Sequence, residues 1–145
     1  MAASTVPACK AAILTLLKAR PALNQVQITW GEPTEAEDLA DELVFFEDPV
    51  RRLANWGHLG NPNPIDETYI LLLKVRNRLF GDDQQATEER CWQLVYEIEQ
   101  VLRGARPGGL LKPIDFTEEQ EYRTNQLSDG WFGEIEIPLV CTARI

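Results

Sequence analysis

Residues Trp131–Ile145 read WFGEIEIPLVCTARI. Within them Ile135, Ile137, Leu139, Cys141, Ala143 and Ile145 fall on one side of a two-residue alternation, opposite Glu134, Glu136, Pro138, Val140, Thr142 and Arg144. Successive strand side chains point to opposite faces, so this pattern predicts a long strand with one face over a core. A loose tail of this composition would leave a row of apolar side chains in water and its peptide groups without partners. The end of the chain therefore completes a sheet.

Working back from that strand, Glu119–Leu127 reads as a weaker strand turning through Ser128, Asp129 and Gly130 into the terminal one. Arg106–Pro113, with Pro107, Gly108 and Gly109, is a loop. Upstream of it Cys91, Leu94, Val95, Ile98, Val101 and Leu102 form a stripe at helical spacing, flanked by Trp92, Tyr96 and Gln100. Gly81, Asp82 and Asp83 offer the caps that start this helix; Gly104 ends it, after Arg103. Ile65–Leu79 is the longest strand candidate. It carries Tyr69, Leu71, Leu73 and Val75 on one face and Thr68, Ile70, Leu72, Lys74 and Arg76 on the other. Its middle is apolar on both faces, which predicts a central strand with helices on one side and a further surface, such as a neighbouring subunit, on the other.

The N-terminal third supplies the remaining elements. Val6, Cys9, Ile13, Leu16 and Leu17 predict a first helix with Ser4 or Thr5 as N-cap and Pro7 in its first turn, stopped near Arg20 by Pro21. Gln25–Trp30, with Val26, Ile28 and Trp30 on one face, and Glu42–Glu47 predict two short strands joined by an acidic linker. From Asp48 to Pro64 the pattern disappears among Pro49, Gly57, Gly60, Pro62 and Pro64, which predicts a long loop carrying Trp56 and the only histidine, His58. The predicted order is α, β, β, β, α, β, β. It implies an α+β fold, one domain over residues 1–145, with a mostly antiparallel β-sheet and two α-helices packed on one face.

Composition bounds the function. The 145 residues are 44% hydrophobic and 26% charged, ordinary for a soluble globular domain. No stretch approaches the roughly 20 apolar residues of a membrane span, and no basic region precedes an apolar run as in a secretion signal; a cytoplasmic setting is expected. Cys9, Cys91 and Cys141 are odd in number, far apart and never paired as CxxC, which argues for small buried hydrophobes over a disulfide framework or a zinc site. A net charge of −9 argues against grooves that hold nucleic acid through clustered Lys and Arg. Eight acids fall within the seventeen residues Glu32–Asp48, a run that reads as a solvated loop or sheet edge.

Signs of catalysis are few. A Ser–His–Asp or Cys–His arrangement would have to use His58, which lies in a Gly/Pro-rich stretch without a GxSxG motif. Neither GxxxxGK[ST] nor GxGxxG occurs. Acid pairs such as Asp82/Asp83, Glu88/Glu89 and Glu118/Glu119 suit caps and solvated faces. No catalytic, cofactor-binding or metal-binding residue is assigned and no cofactor is expected. The alternative, a small soluble enzyme built around His58, Trp56 and the acidic run, has no motif behind it.

The layout resembles the tail terminator or tail-completion proteins of long-tailed bacteriophages. The resemblance rests on a short N-terminal helix, a Trp-containing strand, a long loop, the strand Tyr69–Val75 feeding the helix at Arg90–Ile98, and the closing strand Val140–Ile145. It covers nearly the whole chain through architecture, size and ending. It implies a structural protein of the virion tail, assembled in the host cytoplasm: a six-fold homo-oligomeric ring that caps the tail tube, ends its polymerisation and offers a surface for joining the head. The implied partners are the tail tube protein and a head–tail connector or neck protein, with DNA passing unheld. A head-side neck or stopper protein is the alternative within a virion, and a homodimeric bacterial domain the alternative outside one. Ring interfaces need spare anchoring side chains, and the candidates are Arg51, Arg52, Trp56, Trp131 and Phe132.

Overall fold

The computed structural model describes residues 4–33, 41–55, 66–80, 83–127 and 130–145, excluding the side chains of 55, 79, 80, 125–127, 130 and 131. In order these are α1 (Val6–Lys18), a short 3-10 turn (Pro21–Leu23), β1 (Gln27–Thr29), β2 (Glu42–Asn55), β3 (Asp66–Phe80), α2 (Gln84–Leu102), β4 (Glu121–Leu127) and β5 (Gly130–Arg144). The strands form one five-stranded sheet in the order β1-β2-β3-β5-β4. Only β1 and β2 run parallel; the other pairings are antiparallel. The α+β fold, with two helices on a mostly antiparallel sheet, is thus observed.

β3 is the central strand, and its pairing with β5 runs unbroken from Asp66↔Arg144 to Phe80↔Gly130. That register puts Tyr69, Leu71, Leu73 and Val75 beside Cys141, Leu139, Ile137 and Ile135 on one buried face. Cys91, Leu94, Val95, Ile98 and Leu102 of α2, with Cys9, Ile13 and Leu17 of α1, lie in the same core. Thr87 completes the buried α2 stripe, whereas Val101 is only partly buried. Each end of α2 has a local cause. Asp83 accepts from the Ala86 N–H at 2.8 Å, and at the other end Gly104, at φ 76°, turns the chain away. At Gly133 the helix comes so close that an added Cβ would lie 3.1 Å from Cys91 Sγ and 3.0 Å from the Tyr122 hydroxyl.

Two expectations are corrected. The predicted loop from Asp48 to Pro64 is strand as far as Asn55: β2 spans Glu42–Asn55 and pairs with β3 down to Asn55↔Asp66; Trp56 and the rest of that stretch lie outside the described residues. The alternation fails there because of a bulge. Glu47 faces Leu72 and Arg51 faces Ile70, leaving residues 48–50 opposite Leu71 alone, and Pro49, which has no N–H for the ladder, falls inside it. The first strand is shorter than Gln25–Trp30, covering Gln27–Thr29. Trp30 lies just past this strand, on the helix side as its shared face with Val26 and Ile28 suggests, but is 48% exposed. Its ring meets Phe46 edge-on at 6.5 Å and takes the Lys10 ammonium over its face at 5.3 Å.

Candidate functional site

With both helices on one face, the even-numbered residues of β3 and β5 form the opposite, open face of the sheet. No described helix covers it. Ile70, Leu72, Pro138 and Val140 are half-exposed there. With Pro49, Arg51, Glu118 and Glu136 at its edges, Ile70, Leu72 and Pro138 enclose a hollow of about 230 Å³. Leu53, on the same side of β2, is 64% exposed. Next to this apolar floor lies a charged hollow of about 160 Å³ lined by Glu47, Lys74, Glu121, Arg123, Glu134 and Glu136. Lys74 Nζ sits 2.8 Å from Glu47 and 3.7 Å from Glu134. Burial, reinforced by the neighbouring Glu47, pushes the Glu136 carboxyl above the usual carboxylate range.

At the far end of this face Arg76 lies between two rings, its guanidinium carbon 5.1 Å from the Phe45 centroid and 4.8 Å from that of Phe132. It also donates to Glu134 at 2.9 and 3.1 Å and to Glu32 at 2.8 Å. Burial works against the charge, but these carboxylates outweigh it and hold the guanidinium more firmly protonated than usual. The sandwich explains why Phe45 is 1% exposed on the face away from the helices. The acidic run is accordingly more than a solvated edge. Glu32, Asp41, Glu42 and Glu47 each hold a cation, Arg76, Arg78, Arg90 and Lys74 respectively.

The candidate interface residues separate. Arg51 and Arg52, adjacent in sequence, emerge on opposite faces of β2. Arg51 is exposed at the apolar hollow. Arg52 donates to Glu67, a fully buried carboxylate of β3 on the helix side. Glu67 also accepts from the Thr5 N–H and hydroxyl, both at 2.6 Å, and from Ser4 at 3.0 Å. Thr5 holds the N-cap position that the sequence suggests for Ser4 or Thr5, the Ser4 hydroxyl accepts from the Val6 N–H at 3.2 Å, and the strand residue Glu67 takes the Thr5 N–H. Burial would raise the Glu67 carboxyl, yet the donors from Thr5, Arg52 and Ser4 outweigh it and hold it below its ordinary value. Phe132 is half-buried against Arg76. Phe132 and Arg51 pair with Arg78 and Ile70 of β3, a separation of roughly 27 Å along the strand. Trp131 pairs through its backbone with Leu79 and Gln126, and its side chain lies outside the described part, as do Trp56 and His58.

Two surfaces the sequence reading left aside stand out. Trp92 and Tyr96 on α2 are 39% and 56% exposed, Trp92 resting on Tyr122 at 6.2 Å beside a shallow hollow lined by Gln84, Gln85, Glu88 and Glu89. Beyond the other end of α2, residues 103–113 carry Arg103, Arg106 and Lys112, no acid, and Leu111 at 39% exposure. The amphipathic stripe places Trp92 and Tyr96 on the outer side, but their exposure depends on how far β4 reaches over them.

The three cysteines are free and buried. Burial pushes the Cys91 thiol up to about 12, and the Cys9 and Cys141 thiols lie against each other, which lowers the first and raises the second. None is reachable by a substrate. Among the described residues no group of three or more His, Cys, Asp or Glu could hold a metal ion, and no helix there is long and apolar enough to cross a membrane. This geometry offers surfaces for binding.

No family model matches the sequence, and no curated protein matches it. Among solved structures the chain is similar to one from the virion of a native gene transfer agent particle, at 16% identity and a TM-score of 0.70, over 99% of this chain and 100% of that one. At that identity the likeness establishes the fold, shared from one end of the described chain to the other.

Proposed function

We propose that this chain is a structural protein of a phage-like virion. Copies of it form a six-fold ring that caps the tail tube, ends its polymerisation and presents the surface to which the head joins. The observation that carries this reading is the end-to-end likeness to a virion chain of matching length. Two physical features support it. The exposed apolar and charged surfaces described above are what a subunit that touches several neighbours requires. A net charge of −9 lets DNA pass a lumen without attractive contacts to break.

Light scattering on the purified chain tests the ring: a mass about six times 16.5 kDa supports it, whereas a dimer or monomer at every concentration overturns it. Addition of the particles to tube protein during polymerisation separates a tail cap from a neck protein, since only the cap shortens the tubes. His58→Ala leaves assembly unchanged on this reading; loss of function with fold and assembly intact would reopen the enzyme alternative.

A further inference from the structure

Resting on the ring reading, we infer that successive copies meet head to tail along α2, the Trp92–Tyr96 patch of one seated on the basic 103–113 loop of the next. α2 has 19 residues and is roughly 28 Å long; Glu88, Trp92 and Tyr96 occupy its first and middle turns and the basic loop begins beyond Leu102, so one rigid element fixes the spacing of the two surfaces. Near the first end Glu88 and Glu89 rim the aromatic patch. Glu88 accepts from the Trp92 indole N–H and Glu89 from Gln85, and neither is ion-paired to a described residue. At the second end Arg106 and Lys112 rim the exposed Leu111, again without a described acidic partner. In a chain with 23 acids and 14 bases, an acid-free basic loop is a local reversal of sign, and its complement is the acid-rimmed patch of another copy.

The basic loop is built to dock. Leu111 N–H donates to Thr142 at 2.9 Å, Ile114 N–H to Ala105 at 3.2 Å and Gly109 N–H to Arg106 at 3.2 Å. Gly108 lies so close to α1 that a Cβ would come within 2.9 Å of the Cys9 backbone. A loop held this way loses little freedom on binding. The partner surface offers two aromatic anchors with an acidic rim, the residue types that carry interface energy and register. Unlike patches on one subunit make a heterologous contact, which closes into a ring when the rotation between copies permits. Two copies of either patch would repel.

The test uses paired charge reversals in the full chain: Glu88→Lys with Glu89→Lys in one variant, Arg106→Glu with Lys112→Glu in another. All four side chains are exposed, so each variant should keep a cooperative melt, lowered only by the lost assembly, which shows that it is folded. The parent chain should scatter as an oligomer and each variant alone as a 16.5 kDa monomer. An equimolar mixture of the two should recover the parent's mass, because every junction again pairs opposite signs. A variant that keeps the parent's mass, or a mixture that stays monomeric, overturns the head-to-tail contact and leaves the ring standing. A parent chain that is itself monomeric at all concentrations overturns both.

Discussion

Glu67 shows how much one side chain can organise. It is fully buried, yet four donors from Ser4, Thr5 and Arg52 surround it, so the charged form is the stable one. Its folded value lies below its ordinary value. The stability it contributes is therefore present above the ordinary carboxylate range and lost as the pH falls through the folded value. Glu67→Gln should lower the stability at neutral pH by about 2 kcal/mol, from weakened charge-assisted bonds, and should flatten the acid limb of a melting-temperature profile. Glu136 has the opposite sign. Burial and the adjacent Glu47 raise its folded value, so its stability contribution is full in acid and is lost as the pH rises through that value. Glu136→Gln should raise the melting temperature above the carboxylate range, with the gain vanishing in acid; a pH-independent effect would refute this account.

At the scale of elements, β5 is the strand on which the sheet closes. Leu139, Cys141 and Ala143 are at most 1% exposed, and full burial of a leucine alone is worth about 1.5 to 3 kcal/mol against a total of about 5 to 15. Deleting Leu139–Ile145 should yield insoluble protein, and a soluble truncation with a cooperative melt would refute the expectation. α2 seats against the same strand through Gly133. Gly133→Ala places a methyl group 3.0 to 3.3 Å from Tyr122, Cys91 and Thr87, which should cost about 1 to 2 kcal/mol in denaturant unfolding because the buried helix and sheet cannot both yield. Asp83→Ala removes a cap at an exposed helix start and should cost about 1 kcal/mol by the same measurement.

For the whole molecule the sheet has two unlike faces. One is covered by both helices; the other mixes an apolar floor with a ladder of paired charges, and β2 runs on past its bulge to carry Arg51 and Leu53 to the edge of that floor. If Arg51 anchors a neighbour there, Arg51→Ala should weaken assembly by about 1 to 2 kcal/mol, read from the concentration dependence of the scattering mass, while the subunit's own melting hardly changes. Arg52→Ala, on the helix side, should do the reverse: lower the melting temperature through Glu67 and leave the assembly mass alone. The contrast between two adjacent arginines checks the assignment of faces.

The alternation of Trp131–Ile145 and of Tyr69–Val75, with the helical stripe Cys91–Leu102, was enough to determine the two longest strands, the second helix, the element order and the α+β class. These features depend only on which side of an element each residue occupies, and that is a local, periodic property. Tertiary structure decided what periodicity cannot carry. The bulge at 48–50 hid half of β2, because two extra residues and a proline break the count that alternation relies on. Burial of Glu67 and the Arg76 sandwich depend on partners 15 to 62 residues away. The faces that Arg51 and Arg52 take beyond the bulge, and the anchoring of the 103–113 loop to Thr142 and against Cys9, follow from strand register and loop packing, which no single stretch of sequence encodes.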